Sequence, residues 1–188
     1  MPKLSDLVPL NSILPFNIGL SSASEETMIS CLGRPEPPLT IEDQPDHASA
    51  AVKALLVDEH IAQVHAHGIR PAVNSLRTAL TNAFKDFPEL ATALRADGML
   101  VVRLRRPTSG IPSHKISNHS WGTAIDFMLA GQNAPGATGD RLPYFVALLI
   151  PYFNHEGWYS GVGFHDDMHF EVADTTIQKW AADGLLKP

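Results

Sequence analysis

The apolar positions of this chain change their spacing twice, from irregular to helical to strand-like. Residues 1 to about 45 have few repeating apolar positions and carry Pro, Ser and Asn, with the run Arg34-Pro35-Glu36-Pro37-Pro38. That composition predicts an extended N-terminal arm. Asp46 then reads as an N-cap, followed by Ala48, Ala51, Val52, Leu55, Leu56 and Ala62 on one helical stripe that Gly68 ends. A second helix starts at Pro71, sets Val73, Leu76, Leu80 and Phe84 along one face, and stops before Pro88. A short third helix, Pro88 to Ala96, ends at Asp97-Gly98.

Beyond that turn the pattern shortens. Met99–Leu104, Thr123–Leu129 and Met168–Val172 read as strands, and Trp158–Phe164 as a glycine-rich strand or hairpin. One helix from Pro143 to about His155 lies among them, with Pro151 able to kink or shorten it, and a last helix runs from near Asp174 to Gly184. Helices first and short strands afterwards predict an α+β fold with a small antiparallel sheet. The folded domain is expected over residues 46–188.

Composition narrows the possible partners. The 188 residues are 44% hydrophobic and 18% charged, enough for one sizeable core. A net charge of −6 disfavours a nucleic-acid partner, because Arg103, Arg105 and Arg106 form the only basic cluster. The longest apolar stretch, around Tyr144 to Phe153, is far short of the ~20 residues that span a bilayer. The opening segment offers one lysine as a basic region and is interrupted by Asp6, Pro9, Asn11 and Pro15, so no signal peptide is expected. The protein is then made in the cytoplasm, and work at a cell wall requires release or another route of delivery. Cys31 is the single cysteine, against nine histidines. A bound metal must therefore be held by imidazoles and carboxylates rather than by a thiolate cage.

Two segments carry that chemistry. In Ser117-Asn118-His119-Ser120-Trp121-Gly122-Thr123-Ala124-Ile125-Asp126, Gly122 permits a turn, so His119 comes from a loop and Asp126 from the strand after it. Strand alternation puts Ile125, Phe127 and Leu129 on one face and Ala124, Asp126 and Met128 on the other. In the second segment Met168, Phe170 and Val172 alternate with His169 and Glu171. If the two strands are neighbours, His119, Asp126 and His169 converge. Two imidazoles and a carboxylate leave a fourth zinc position open, the arrangement of catalytic sites. Asp166, in the loop entering the second strand, is placed to accept a proton.

The pattern Ser117-x-His119-x-x-Gly122-x-Ala124-x-Asp126, followed by Asp166-x-x-His169, resembles the zinc D-alanyl-D-alanine peptidase family, peptidase family M15. That family includes D-Ala-D-Ala dipeptidases, D,D-carboxypeptidases and phage L-alanyl-D-glutamate endopeptidases, and it shares its fold with the hedgehog signalling domain. The first motif fixes five positions within ten residues. The resemblance implies one zinc ion on His119, Asp126 and His169, with Asp166 as general base. The dipeptidase branch usually has glutamate at that position and some phage endopeptidases have aspartate, so Asp166 points towards the endopeptidases. The resemblance also implies an upstream arginine at the oxyanion or the substrate carboxylate. Arg106, followed by Pro107, is the better match although Tyr-Arg-Pro is absent; Arg103 is its rival. Ser117 is a candidate for orienting substrate and Glu171 for holding a ligand. Trp121 is a candidate substrate contact, although Trp121 and Trp158 read first as packing residues.

Other residues have plainer readings. His60, His65 and His67 are expected at the end of a helix, where imidazoles are ordinary. His114 and His165 are expected in structural or solvent-facing roles, and Asp167 is expected to be exposed. The function implied is a zinc peptidase, expected as a monomer, cutting peptidoglycan stem peptides or other D-amino-acid peptides. The alternatives are a zinc-binding interaction domain of the same fold without catalysis, and a metal-free structural subunit of a phage or secretion apparatus.

Overall fold

The computed structural model describes residues 2–96, 98–106, 113–132 and 139–187. Asp97 and Pro107, named in the sequence reading, lie outside the described residues. In chain order the elements are β1 (Leu7–Pro9), α1 (Glu25–Leu32), α2 (Ala50–Leu55), β2 (Leu56–Ile61), β3 (Val64–Ile69), α3 (Arg70–Asp86), α4 (Leu90–Ala93) and β4 (Leu94–Ala96). There follow β5 (Ala124–Leu129), β6 (Arg141–Pro143), α5 (Tyr144–His155), β7 (Trp158–Ser160), β8 (His169–Val172) and α6 (Asp174–Ala182). The expected α+β architecture is present. A four-stranded antiparallel sheet has the order β4-β5-β8-β7, and β1-β6 and β2-β3 form two-stranded antiparallel pairs.

Strand alternation splits the central sheet into an apolar and a polar face. Ile125, Phe127 and Leu129 of β5 and Phe170 and Val172 of β8 are buried. Phe127, Phe153, Trp158 and Phe170 interlock there, with ring centroids 4.5 to 5.8 Å apart. Such aromatic pairs each add about 0.5–1.5 kcal/mol beyond the area they bury. α3 contributes Val73, Leu76 and Leu80 to the same core, and α5, which runs on through the exposed Pro151, contributes Phe145, Leu149 and Phe153. The other face of the sheet is left for Asp126, His169 and Glu171. No helix among the described residues is long and apolar enough to cross a membrane.

Five stretches differ from the sequence reading. The helix expected from Asp46 to Gly68 is one short helix, α2, capped by Ser49, whose Oγ accepts from Val52 N at 3.2 Å. From Leu56 the chain forms the β2–β3 hairpin instead, with Ile61 paired to Val64. Its burial follows period 2, since Val64 and Ala66 are buried while His65 is exposed. Ala62 makes the tight turn at φ +53° without the usual glycine or asparagine, which hid the hairpin. The third expected helix is shortened to α4, and Leu94–Ala96 becomes an edge strand.

Met99–Leu104 is not a strand of the sheet. Its backbone is shared among neighbours: Val101 N donates to His119 O, Leu104 N to Thr40 O, and Gln44 N to Val102 O, with one isolated bridge between Leu104 and Ile116. Trp158–Phe164 is strand only to Ser160 and then a 3-10 turn, Gly161–Phe164. The N-terminal segment, otherwise largely irregular, carries α1, whose cap Ser24 accepts from Thr27 N and whose Met28 and Leu32 are buried. An eight-residue helix with two buried positions gives too short a period to be read from sequence.

Candidate metal centre and active site

His119 reaches the centre from a 3-10 turn, Asn118–Trp121, that Gly122 ends in the left-handed conformation at φ +62°. The turn sits tightly against the hairpin. A Cβ on Gly68 would lie 2.5 Å from Gly122 O, and Ile69 N donates to that same oxygen at 3.2 Å. Glycine at both positions lets the backbones approach closely enough to fix where His119 begins. Asp126 and His169 stand directly opposite each other on β5 and β8, and Ala124 stands opposite Glu171. Adjacent strands thus deliver a carboxylate and an imidazole side by side on the polar face.

The structure brings the three side chains together. His119 Nε2 lies 3.2 Å from His169 Nδ1 and 3.4 Å from Asp126 Oδ1, and His169 Nδ1 lies 2.9 Å from Asp126 Oδ1. Ligands about 2.05 Å from a tetrahedral ion stand roughly 3.3 Å apart, so this triangle fits one divalent cation. Each imidazole is held by its other nitrogen. His119 Nδ1 donates to Met99 O at 3.2 Å, and His169 Nε2 donates to Glu171 Oε2 at 3.0 Å. Those bonds select the tautomers whose remaining lone pairs point at the common centre. The donor set and its burial fit a metal with an open side.

Titration follows the same contacts. Burial alone would raise Asp126, but bonds from His119 and His169 hold its carboxyl well below the usual range. Burial alone would lower His169, but its bonds to Asp126 and Glu171 push it up to about 10. Glu171, whose burial works the other way, is held down by His169 and by bonds from Ser22 and Asn118. The charge balance favours a cation between Asp126 and the imidazoles, and a bound metal substitutes for the proton held there.

The hydrogen-bond chain extends further than the sequence reading. Asn118 Nδ2 donates to Glu171 Oε2 at 2.7 Å and to Ala23 O at 3.1 Å, tying Glu171 to the N-terminal segment. Trp121 is fully buried and its Nε1 donates to Gly33 O at 2.8 Å. Its assignment as a substrate contact is therefore corrected: the indole packs the turn onto the N-terminal segment and offers no surface to a ligand. Ser117 is 6% exposed; its N donates to Arg103 O and its O accepts from Ser120 N. Asn118 was missed because its partner is 53 residues away, and only its place beside His119 hinted at a role.

Of the candidate base and arginines, Asp166 and Arg103 interact with the charges of the centre. Asp166 is exposed at the end of the turn after β7, and its O accepts from His169 N at 3.1 Å. The surrounding chain and the charges of Asp126 and Glu171 raise its carboxyl, while His169 and His119 oppose them. Asp167, expected to be exposed, is 5% exposed, which corrects that reading. Arg103 is half-buried, its Nη1 donates to Leu104 O at 3.1 Å, and its Nε has no partner among the described residues. Its charge interacts with Asp126 and Asp166, whereas Arg106 is exposed and repels Arg103. Phe164 lies against His169, with centroids 5.7 Å apart, and stacks on Tyr159. His165 and His114 are exposed.

A family model described as D-alanyl-D-alanine carboxypeptidase, peptidase family M15, matches residues 112–172. The match supports a relationship to the M15 peptidase family over that segment. The matched segment holds His119, Asp126, Asp166 and His169, all the residues that the sequence motifs single out for metal and base. No curated protein and no solved structure matches the chain. The match supports a peptidase, and the group formed by the buried His119 and His169 with the half-buried Asp126 could hold a metal ion.

Proposed function

We propose that the chain is a zinc-dependent peptidase that cleaves D-amino-acid-containing peptides of bacterial peptidoglycan. The observation that carries this reading is the buried triangle of His119, Asp126 and His169, with both imidazoles oriented from behind. A zinc ion on those three residues would act as a Lewis acid and make water nucleophilic near neutral pH. Residues 46–188 form the peptidase domain, with residues 1–45 as an arm whose Ala23 and Gly33 carbonyls brace Asn118 and Trp121. Delivery to the cell wall follows release from the cytoplasm.

The chain's own residues then divide the work. Asp166 takes a proton from the attacking water on a carboxylate oxygen. Water oxygen bonds to the scissile carbonyl carbon, the C–N bond breaks, and Asp166 returns the proton to the leaving amine. Arg103, rather than Arg106, donates hydrogen bonds to the negative charge that develops on the carbonyl oxygen. Glu171 and Asn118 keep His169 in its ligating orientation. An aspartate base favours an endopeptidase specificity, with D,D-carboxypeptidase as the alternative.

Asp166→Ala tests the assignment of the base. Hydrolysis of stem peptides is expected to collapse while zinc content stays at one per chain at this centre. Undiminished hydrolysis removes Asp166 from the mechanism, and a wild-type protein that binds zinc without hydrolysing any muropeptide supports the interaction-domain reading instead.

A further inference from the structure

Four ligand-type side chains outside this centre share one face of the β2–β3 hairpin. The register sets Asp58 opposite His67 and His60 opposite His65. Alternate residues of a strand point the same way, so these two rungs place all four side chains on one side. The opposite side carries Ile61, Val64 and Ala66, which are buried. Asp58, His60 and His65 are exposed and His67 is half-buried. The position of these histidines on a hairpin, not at a helix end, creates this face.

The side chains already interact. The His60 and His65 rings stack with centroids 5.0 Å apart, and His65 Nε2 donates to Asp58 Oδ1 at 2.7 Å. The bond from His65, and then the neighbouring imidazoles, lower Asp58. Opposed Cβ atoms on paired strands lie about 4.5–5.5 Å apart, within the span that two imidazoles bridge when both bind one ion. Exposed side chains change rotamer within ps–ns, so His60 is free to turn towards His65, Asp58 and the half-buried His67. Three imidazoles and a carboxylate form a donor set suited to zinc, nickel or copper rather than calcium or magnesium.

We propose that this face is a second metal site, taking a divalent first-row transition ion through His60, His65 and His67 with Asp58 as the carboxylate. The site is independent of the peptidase reading, since none of its residues touches the first centre. Three of its four ligands are solvent-exposed and must turn to meet the ion, which makes it the weaker of the two.

Zinc titration of the metal-free protein by calorimetry tests it, with zinc itself as the probe. The wild-type chain is expected to take up two equivalents, the second at lower affinity. His60→Asn/His65→Asn is expected to take up one while retaining its circular dichroism spectrum, and His67→Asn to weaken the second step at least about tenfold, or about 1.4 kcal/mol. Asp126→Asn separates the two centres: it weakens the tight step and leaves the hairpin step in place. A wild-type protein that saturates at one equivalent overturns the proposal, as does a double variant that still takes up two.

Discussion

Two antiparallel strand pairs among the described residues set an aspartate opposite a histidine, and they differ in what stands behind the imidazoles. On β5–β8, Asp126 faces His169, a third donor arrives from the Asn118–Trp121 turn, and the second nitrogens bond to Met99 O and Glu171. On β2–β3, Asp58 and His65 bond to each other, and the face is open to solvent. Period-2 alternation supplies the donors in both cases. Preorganisation is supplied only in the first, by burial and by bonds at the far side of each ring. Ligand identity alone therefore does not mark a catalytic centre; the groups that fix tautomer and orientation do.

Removing a donor from the buried pair is expected to have the largest effect. His169→Ala should bring hydrolysis to background and abolish tight zinc uptake, as measured by metal analysis after gel filtration. Retained tight binding would erase the distinction between the two faces. Asp166→Ala should lower hydrolysis on the order of 10²–10⁴-fold with zinc retained, because it removes proton transfer and leaves the donors intact.

Glu171→Gln tests the orienting bonds themselves. Zinc affinity at the buried centre should fall about 10–100-fold, measured by competition with a chelator, and Asn118→Ala should fall towards the lower end of that range. An unchanged affinity in both variants would reduce the network to packing. Gly68→Ala probes the inner side of the hairpin, where the new Cβ would press on Gly122 O. It is expected to cost about 1–3 kcal/mol by thermal or urea unfolding and to lower activity by shifting His119. On the outer side, His60→Asn/His65→Asn should leave hydrolysis unchanged and stability within about 0.5 kcal/mol.

Much of the buried centre was legible in the sequence because short-range rules determine it. Gly122 separates His119 from Asp126, and strand alternation places Asp126, His169 and Glu171 on one face whichever strands flank them. The hairpin was not legible, because Ala62 adopts a positive φ that residue type does not advertise, while Leu55, Leu56 and Ala62 also satisfy helical spacing. Asn118 could not be paired with Glu171 without the register of β8, nor could Trp121 be seen to face Gly33. Asp166 and Asp167 are neighbours whose opposite exposures depend on the local turn, which passes through His165 at φ +64°. Tertiary packing settles such choices, and sequence patterns do not carry it.

The central claim is that the centre on His119, Asp126 and His169 hydrolyses peptidoglycan peptides. The most direct measurement is a digest of purified sacculi with the zinc-loaded protein, products identified by mass, alongside chelated wild type and Asp166→Ala. The account predicts new stem-peptide fragments bearing free termini next to a D-amino acid, present with the zinc-loaded protein and lost in both controls. Sacculi left intact by the zinc-loaded protein, or fragments that persist equally after chelation, would contradict it.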